Sequence, residues 1–442
     1  MTTEAMTERD ARVVNTRHED VNPADIAVGV IIGRTSEFFD FFVFAIASVI
    51  VFPTRVFPYV DPLTATLYCF AIFALAFVAR PFGSALFMAI DRAYGKSAKL
   101  TVALFMLGSA TVALGFLPAY DVIGRWSAVI LIILRILQGL ALGGSWDGLA
   151  SLLALNAPEG RRGLYAMVPQ LGAAVGFLVA SGLFAYFVAI LSPADFYDWG
   201  WRYPFFVAFA INVVALFARL RIVVTPEYTR LFDARELRPE PIFAMLRNEG
   251  RTVVIGAFTP LATFALFHMV TVFPLSWIFL YTKERPWQFL TIEAAGAVVF
   301  MLAIIASGLL ADRYGRRRVL WICAALTAAF SGFAPQLLDV GFIGEIWFMF
   351  SGFALLGITF GQSSGAVASG FSQKYRYTGS AVTSDLAWLV GAGFAPLVAL
   401  FLASQFGLIA AGAYLLSGAL VTLLALRLSD RWGIVPAPVD QP

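Results

Sequence analysis

The chain has 442 residues, of which 60% are hydrophobic and only 13% charged, with a formal net charge of +3 and a mean hydropathy of +0.80. Soluble domains carry about 25% charged residues, so the composition excludes a water-soluble globule and points to an integral membrane protein. Two His and two Cys in the whole chain offer no metal or nucleophile constellation for an enzyme, and Cys69 and Cys323 fall in apolar stretches as packing residues.

Residues 1–24, beginning MTTEAMTERDAR, mix charges of both signs without an apolar core, which predicts a cytosolic tail and not a cleaved signal peptide. A helical span needs about 20 mostly apolar residues. Twelve such stretches follow, at 25–53, 62–90, 98–117, 125–156, 163–191, 202–222, 251–281, 288–311, 318–337, 342–370, 377–403 and 407–428. All are too long for transmembrane strands and lack strict alternation, so the expected class is an all-α polytopic bundle. The longest break, 223–250, divides the spans six and six. It predicts one bundle over 25–222, a cytosolic central loop over 223–250, a second bundle over 251–428 and a cytosolic tail over 429–442.

Basic residues are placed unevenly. One set of loops carries Arg92, Lys96 and Lys99, then Arg161 and Arg162, the stretch from Arg219 to Arg251, Arg313 with Arg316 to Arg318, and Lys374 with Arg376. The opposite set carries only Arg55, Arg125, Arg202, Lys283 and Arg285. This asymmetry predicts that both termini are cytoplasmic, and it accounts for the basic loops as topology signals with no nucleic-acid partner.

The first span contains GRTSEFFDFFVF, with Arg34, Glu37 and Asp40 inside an otherwise lipid-like run. A charge at the bilayer centre costs about 2.5–3.5 kcal/mol on the lenient insertion scale, so the three must face the bundle interior or a wet cavity. At 1.5 Å per residue Glu37 and Asp40 lie about 18 and 22 Å above Asp25, near mid-membrane, and the three share a face about 120° wide. Arg135 reaches a similar depth, about 15 Å along its helix from Arg125. A guanidinium stays protonated and lowers the pKa of a nearby carboxylate until a substrate engages it, which is a means of coupling a proton to a solute. Asp40 or Glu37 is therefore the expected proton-binding group and Arg135 its switchable partner. The structural alternative is that Arg34 and Glu37 neutralise each other while Arg135 and Asp40 brace two helices.

Other polar residues also fall inside spans. Arg80 supplies a second positive group for an anionic substrate, or snorkels toward one face. His268 has a side chain suited to proton exchange or to plain hydrogen bonding. Asp385, about 14 Å in from Arg376, is a candidate proton site in the carboxy-terminal half. Gln138, Asp147 and Gln170, with Arg34, Arg80 and Arg135, make up the expected substrate-binding set, although helix-to-helix hydrogen bonds explain the glutamines equally well. Gly139, Gly143, Gly144, Gly172 and Gly176 read as close-packing sites.

The halves carry a repeated loop: IDRAYGKSAK between spans two and three, and ADRYGRRR between spans eight and nine. GLLADRYGRRR, Gly308 to Arg318, resembles the inner-loop signature of the major facilitator superfamily, and RILQG at Arg135 to Gly139 resembles its fourth-span motif. More narrowly, GxxxEFFDFF at 33–42, ARPFG at 79–83, QGLALGG at 138–144, DWGWRYPFF at 198–206 and RYTG at 376–379 are similar to the metabolite:proton symporter family, which includes carriers of proline and betaine, citrate, oxoglutarate and shikimate. The chain departs from that family's usual pattern at Arg34, Phe38 and Ser145, where the family has Asn, Trp and Glu, so substrate identity does not carry over.

The resemblance implies two six-helix bundles with a binding site near the midplane between them. It also implies a latch of Gly308, Asp312, Arg313, Gly315, Arg316 and Arg317, with Asp91 and Arg92 in the degenerate first copy, that holds the inner side closed in one state of the cycle. The resulting expectation is a monomeric inner-membrane symporter, with no cofactor or metal, whose partners are the bilayer, protons and a small organic anion or zwitterion. An uncoupled facilitator, a membrane sensor of the same fold and a betaine or proline uptake system are the alternatives.

Overall fold

The computed structural model describes residues 23–145, 153, 157, 160–223, 239–368, 370–372 and 374–431. Asp147 and most of both predicted tails lie outside them.

The described chain is almost entirely helical. The long helices are α1 (Pro23–Ile50), α2 (Pro62–Gly115), α3 (Trp126–Gly144), α4 (Arg162–Ile190), α5 (Tyr203–Val223), α6 (Ile242–Phe258), α7 (Leu261–Thr271), α8 (Phe273–Tyr281), α9 (Pro286–Tyr314), α10 (Arg316–Phe333), α11 (Phe342–Ala368), α12 (Arg376–Trp388), α13 (Ala395–Phe406) and α14 (Leu408–Arg431). Their ends follow local chemistry. Asp61 caps α2 by accepting from the Thr64 amide at 3.0 Å, with Pro62 in the first turn where its missing N–H costs nothing. Gly315, at φ 84°, separates α9 from α10 in a conformation that suits a residue without Cβ.

Ten segments of the described residues are long and apolar enough to cross a bilayer. One of them, α2, has 54 residues, about 81 Å of helix, which is enough for two crossings, and Gly95 (φ 85°, ψ 168°) breaks it between them. With α1, whose three charges sit inside one span length, the arrangement has twelve crossings. The seventh is built from α6, α7 and α8, broken beside Pro260 and Pro274, and the eleventh from α12 and α13, joined by a π-helical turn at Leu389–Gly393.

Part of the predicted central loop is helical. α6 starts at Ile242, so 242–250 is helical and runs on into the span across a kink at Glu249. Its Met245 is buried with Phe371 and Tyr375, and Asn248 donates to the Tyr375 hydroxyl at 3.0 Å. An apolar residue at 245 within a charged stretch is what draws this turn onto the body of the protein.

α1 packs on α4 and α5, and α2 on α3 and α5. α9 packs on α11, α10 on α14, and α6 on α12. The two sets meet along α4 and α9, and where α2 faces α12 and the turn that follows it. At the centre, aromatic rings close the seam. Phe42 lies 5.7 Å from Phe267, Phe38 6.1 Å from Trp388, and Phe177 of α4 5.4 Å from Phe353 of α11. Such ring pairs contribute about 0.5–1.5 kcal/mol each beyond their buried area.

The α2–α3 contact depends on missing side chains. A Cβ on Gly139 would lie 2.4 Å from the Ala76 carbonyl oxygen, and one on Gly143 would meet the backbone of Arg80 to Ser84. Backbone cannot yield as a flexible side chain does, so Gly139→Leu should prevent α3 from seating. The variant is expected to lose its monodisperse peak in size-exclusion chromatography. Gly182→Leu, at a glycine where an added Cβ would meet nothing within 4 Å, should elute as the parent protein does, and equal behaviour of the two variants would refute this account of the contact.

Candidate functional site

The site is built outward from one face of α1. Arg34 Nη1 lies 2.6 Å from Glu37 Oε2, and the other carboxylate oxygen of Glu37 lies 2.5 Å from Nη2 of Arg219 on α5. Arg219 also donates through Nη1 to the Ser145 carbonyl at 3.0 Å and is 1% exposed. The sequence reading counts Arg219 as the first charge of a basic loop. The structure corrects this: it is a buried helical residue bound to mid-span acid. Its position inside the predicted 202–222 span was the available signal.

One turn further along α1, Asp40 Oδ2 accepts from Asn212 Nδ2 at 2.7 Å, and Asn212 Oδ1 in turn accepts from the Ser36 hydroxyl. Asn212 and Arg219 are seven residues apart and so share a face of α5. One face of α5 therefore serves both acids of α1. The second oxygen of Asp40 has no hydrogen-bond partner among the described residues.

Arg135 is not paired with Asp40 here. Its Nε donates to the Phe73 carbonyl at 3.2 Å and Nη1 to Gln138 Oε1 at 3.1 Å, while Gln138 Nε2 donates to Thr111 at 2.8 Å. The guanidinium carbon stands 4.0 Å from the Phe44 ring centroid and 4.8 Å from that of Phe73, so aromatic faces hold much of its charge. Nη2 has no hydrogen-bond partner among the described residues. Thus Asp40 and Arg135 each keep one unused polar atom in a buried setting.

Arg80 and Asp385 come together across the two helix sets. Arg80 Nε lies 2.7 Å from Asp385 Oδ1, and the Ser84 hydroxyl bonds the other carboxylate oxygen. His268 is fully buried, and neither ring nitrogen has a partner among the described residues. It stacks on Phe41 at 5.2 Å with Phe73 edge-on at 5.4 Å. Gln170 is buried on α4, and its carbonyl oxygen has no hydrogen-bond partner among the described residues. A cleft of about 30 Å³ is lined by Arg34, Glu37, Phe41, Phe77, Arg80 and Trp388, room for about two water molecules. The structure is thus closed to any metabolite-sized solute at this cleft.

The repeated loops form two ties between the helix sets. Asp312 accepts from the amides of Gly163 at 2.6 Å and Leu164 at 3.2 Å, capping the positive end of α4. A Cβ on Gly308 would fall 2.9 Å from the Leu164 Cα, so the crossing requires glycine there. Arg316 donates to Gln362 at 3.3 Å, Gln362 donates to the Gly163 carbonyl at 3.2 Å, and Arg317 holds the Leu426 carbonyl at 2.6 Å. Arg313 lies over Tyr314 instead. In the other copy, buried Asp91 pairs with Lys99 at 3.0 Å, and Lys99 donates to the Tyr377 hydroxyl of α12 at 2.7 Å. Arg92 is exposed and takes no part in this tie. The sequence places Lys99 in a basic loop and Tyr377 in the RYTG motif, but their roles, like that of Gln362, exist only once distant helices meet.

A family model for the Major Facilitator Superfamily matches residues 31–396. The inner membrane metabolite transport protein YhjE of Escherichia coli (strain K12) is 36% identical over 434 residues, covering 96% of each chain. The shikimate transporter of the same organism is 30% identical, covering 91% of this chain and 94% of the relative. Among solved structures, the proton:xylose symporter XylE bound to 6-bromo-6-deoxy-D-glucose superposes with a TM-score of 0.69 at 17% identity, over 94% of this chain and 96% of that one, a likeness of fold.

Glu37 keeps Arg34 when Arg219 is lost, so Arg219→Ala should lower the melting temperature of the detergent-solubilised protein by less than a fully stranded charge, at about 3–5 kcal/mol, would. If the ion pair is the source, Arg219→Ala should cost less in a Glu37→Gln background than in the parent, and equal losses in the two backgrounds would count against the pairing.

Proposed function

Because the chain belongs to the Major Facilitator Superfamily, a family of transporters and not of enzymes, we propose that it is a proton-coupled symporter of a small organic anion. Two six-span bundles, 25–222 and 251–428, rock about a midplane site, with both termini cytoplasmic as the distribution of basic residues favours. The observation that carries the reading is Asp40: a buried carboxyl beside Thr111, with one oxygen bonded to Asn212 and the other making no hydrogen bond within 3.5 Å among the described residues. A carboxylate left so at this depth is costly, so the group must carry a proton or find a new partner as the protein moves.

In this reading Asp40 takes the proton and Arg135, with Nη2 uncommitted, becomes its partner when the proton leaves. Arg80 and Arg34 on the cleft receive a carboxylate. As the substrate engages Arg80 it competes with Asp385, loosening a tie between the bundles and so linking binding to motion. Asp312 and its neighbours hold the cytoplasmic side shut in the closed arrangement. The similarity to a shikimate transporter supports an anionic substrate. A second reading, uptake of a zwitterion such as betaine, draws on the rings of Phe38, Phe41, Phe77 and Trp388 at the cleft, whose faces suit a quaternary ammonium.

A ligand that binds only the folded state raises its melting temperature. Purified protein screened against shikimate, citrate, oxoglutarate, proline and glycine betaine should be stabilised by an acid of the first three. A shift with betaine alone would decide for the zwitterion. In proteoliposomes, Asp40→Asn should retain counterflow of the stabilising ligand yet lose accumulation driven by an imposed pH gradient. Accumulation equal to that of the parent would remove Asp40 from coupling.

A further inference from the structure

Two fully buried carboxyls, Glu293 on α9 and Glu345 in the first turn of α11, take no part in the contacts described above. Glu293 is the deeper, about 10 Å inside the Pro286 end of its helix. Neither of its oxygens has a hydrogen-bond partner, and no cation pairs with it, among the described residues.

Its place in the fold is specific. Glu293 precedes Gly296 by three residues and Phe300 by seven, so the three share one face of α9. Gly296 leaves no room for a Cβ against Phe353, Phe300 lies 5.7 Å from Phe353, and Phe353 meets Phe177 of α4. Glu293 therefore lies on the face of α9 turned to α11, where Phe353 reaches across to Phe177 of α4, and on the side of the aromatic plug away from the Asp312 tie. The spanning parts of the elements packed on α9 carry few ionisable groups: Tyr186 on α4, Tyr281 on α8, Cys323 on α10 and Glu345 on α11. The arginines of α9 and α10 stand at the opposite end, four turns or more away, while on its own side Lys283, Glu284 and Arg285 precede α9 two to three turns before Glu293, with Glu284 beside Glu345.

An ionised carboxylate with no counter-ion and no donor is not tolerated in such surroundings. We infer that Glu293 is a second proton-carrying carboxyl, in the carboxy-terminal half, which holds its proton while α4 and α9 are packed together and exchanges it with water when they part on the face opposite the latch. Its protonated state follows from burial and the lack of a partner among the described residues. Its use in coupling rests on the transporter reading above.

The first test needs no substrate. Infrared spectra of the protein in lipid nanodiscs at pH 8 should show, in wild type minus Glu293→Gln, a protonated carboxyl carbonyl band that shifts in D2O; absence of the band would overturn the proposal. Glu293→Leu provides the same subtraction if the Gln variant does not fold. The second test is accumulation of shikimate, proline or glycine betaine in proteoliposomes. Each coupled proton multiplies the attainable gradient tenfold per unit of imposed pH difference, as one pH unit is about 1.36 kcal/mol. Losing one should lower the ratio about tenfold at a difference of one unit, and an unchanged ratio would show Glu293 to be a fixed neutral side chain and overturn its role. If wild type moves none of the three in counterflow, the transporter reading fails for these solutes while the band still decides whether Glu293 is protonated.

Discussion

A buried ion needs a counter-ion, and the polar interior of this protein is organised by that requirement. Glu37 lies between Arg34 and Arg219, and through that contact α1 is fixed to α5 at the depth where apolar packing alone would allow the helices to slide. Once that register is set, Asn212 arrives opposite Asp40 without further adjustment, because it lies two turns from Arg219 on the same face. Buried ion pairs are weak stabilisers compared with apolar packing of the same volume. What the Glu37 cluster contributes is position: it places Asp40 in the buried interior opposite Asn212, with one oxygen bonded and one without a hydrogen-bond partner among the described residues.

The two helix sets meet through three layers of different character. At one end are directional ties, the carboxylate of Asp312 on the first amides of α4 and the Asp91, Lys99 and Tyr377 contact. In the middle is Arg80 with Asp385 beside a cleft that holds little more than water. Beyond it lies the aromatic plug around Phe42, Phe267 and Trp388, in which His268 is packed as one more ring. Directional polar contacts separate abruptly, whereas stacked rings slide at modest cost. That order suits a body that opens at one end while pivoting on its centre.

Most of the architecture was legible in the sequence because lipid is a simple solvent. It demands long apolar runs, and twelve of them are visible by length alone, as are the repeated loops that mark the two halves. The polar interior was only half legible. Arg34 with Glu37 is a local pair three residues apart, and Asp312 belongs to a recognisable loop, so both could be named from spacing or resemblance. Arg219 and Asn212 could not, since their partners lie more than 170 positions away and neither residue type declares its partner. The separation of Arg135 from Asp40 is also a tertiary fact: Gln138, one turn along the same helix, and the rings of Phe44 and Phe73 satisfy most of the guanidinium before the acid is reached. The helical turn at 242–250 was hidden because its charges outweigh the one buried methionine that docks it.

The halves differ in how they treat charge, and that difference constrains any coupling scheme. In the amino-terminal set the buried acids Glu37, Asp40 and Asp91 are met by arginine, asparagine and lysine, so moving a proton there means exchanging one partner for another. In the carboxy-terminal set, Glu293 has no partner to exchange among the described residues, and its only inexpensive states are neutral and buried or ionised and wet. A carboxyl of the first kind responds to what binds beside it. One of the second kind responds to whether water reaches it, which is a property of the conformation itself. A cycle that uses both would read substrate occupancy with one half and the opening of the seam with the other, and it would need no direct contact between the two acids.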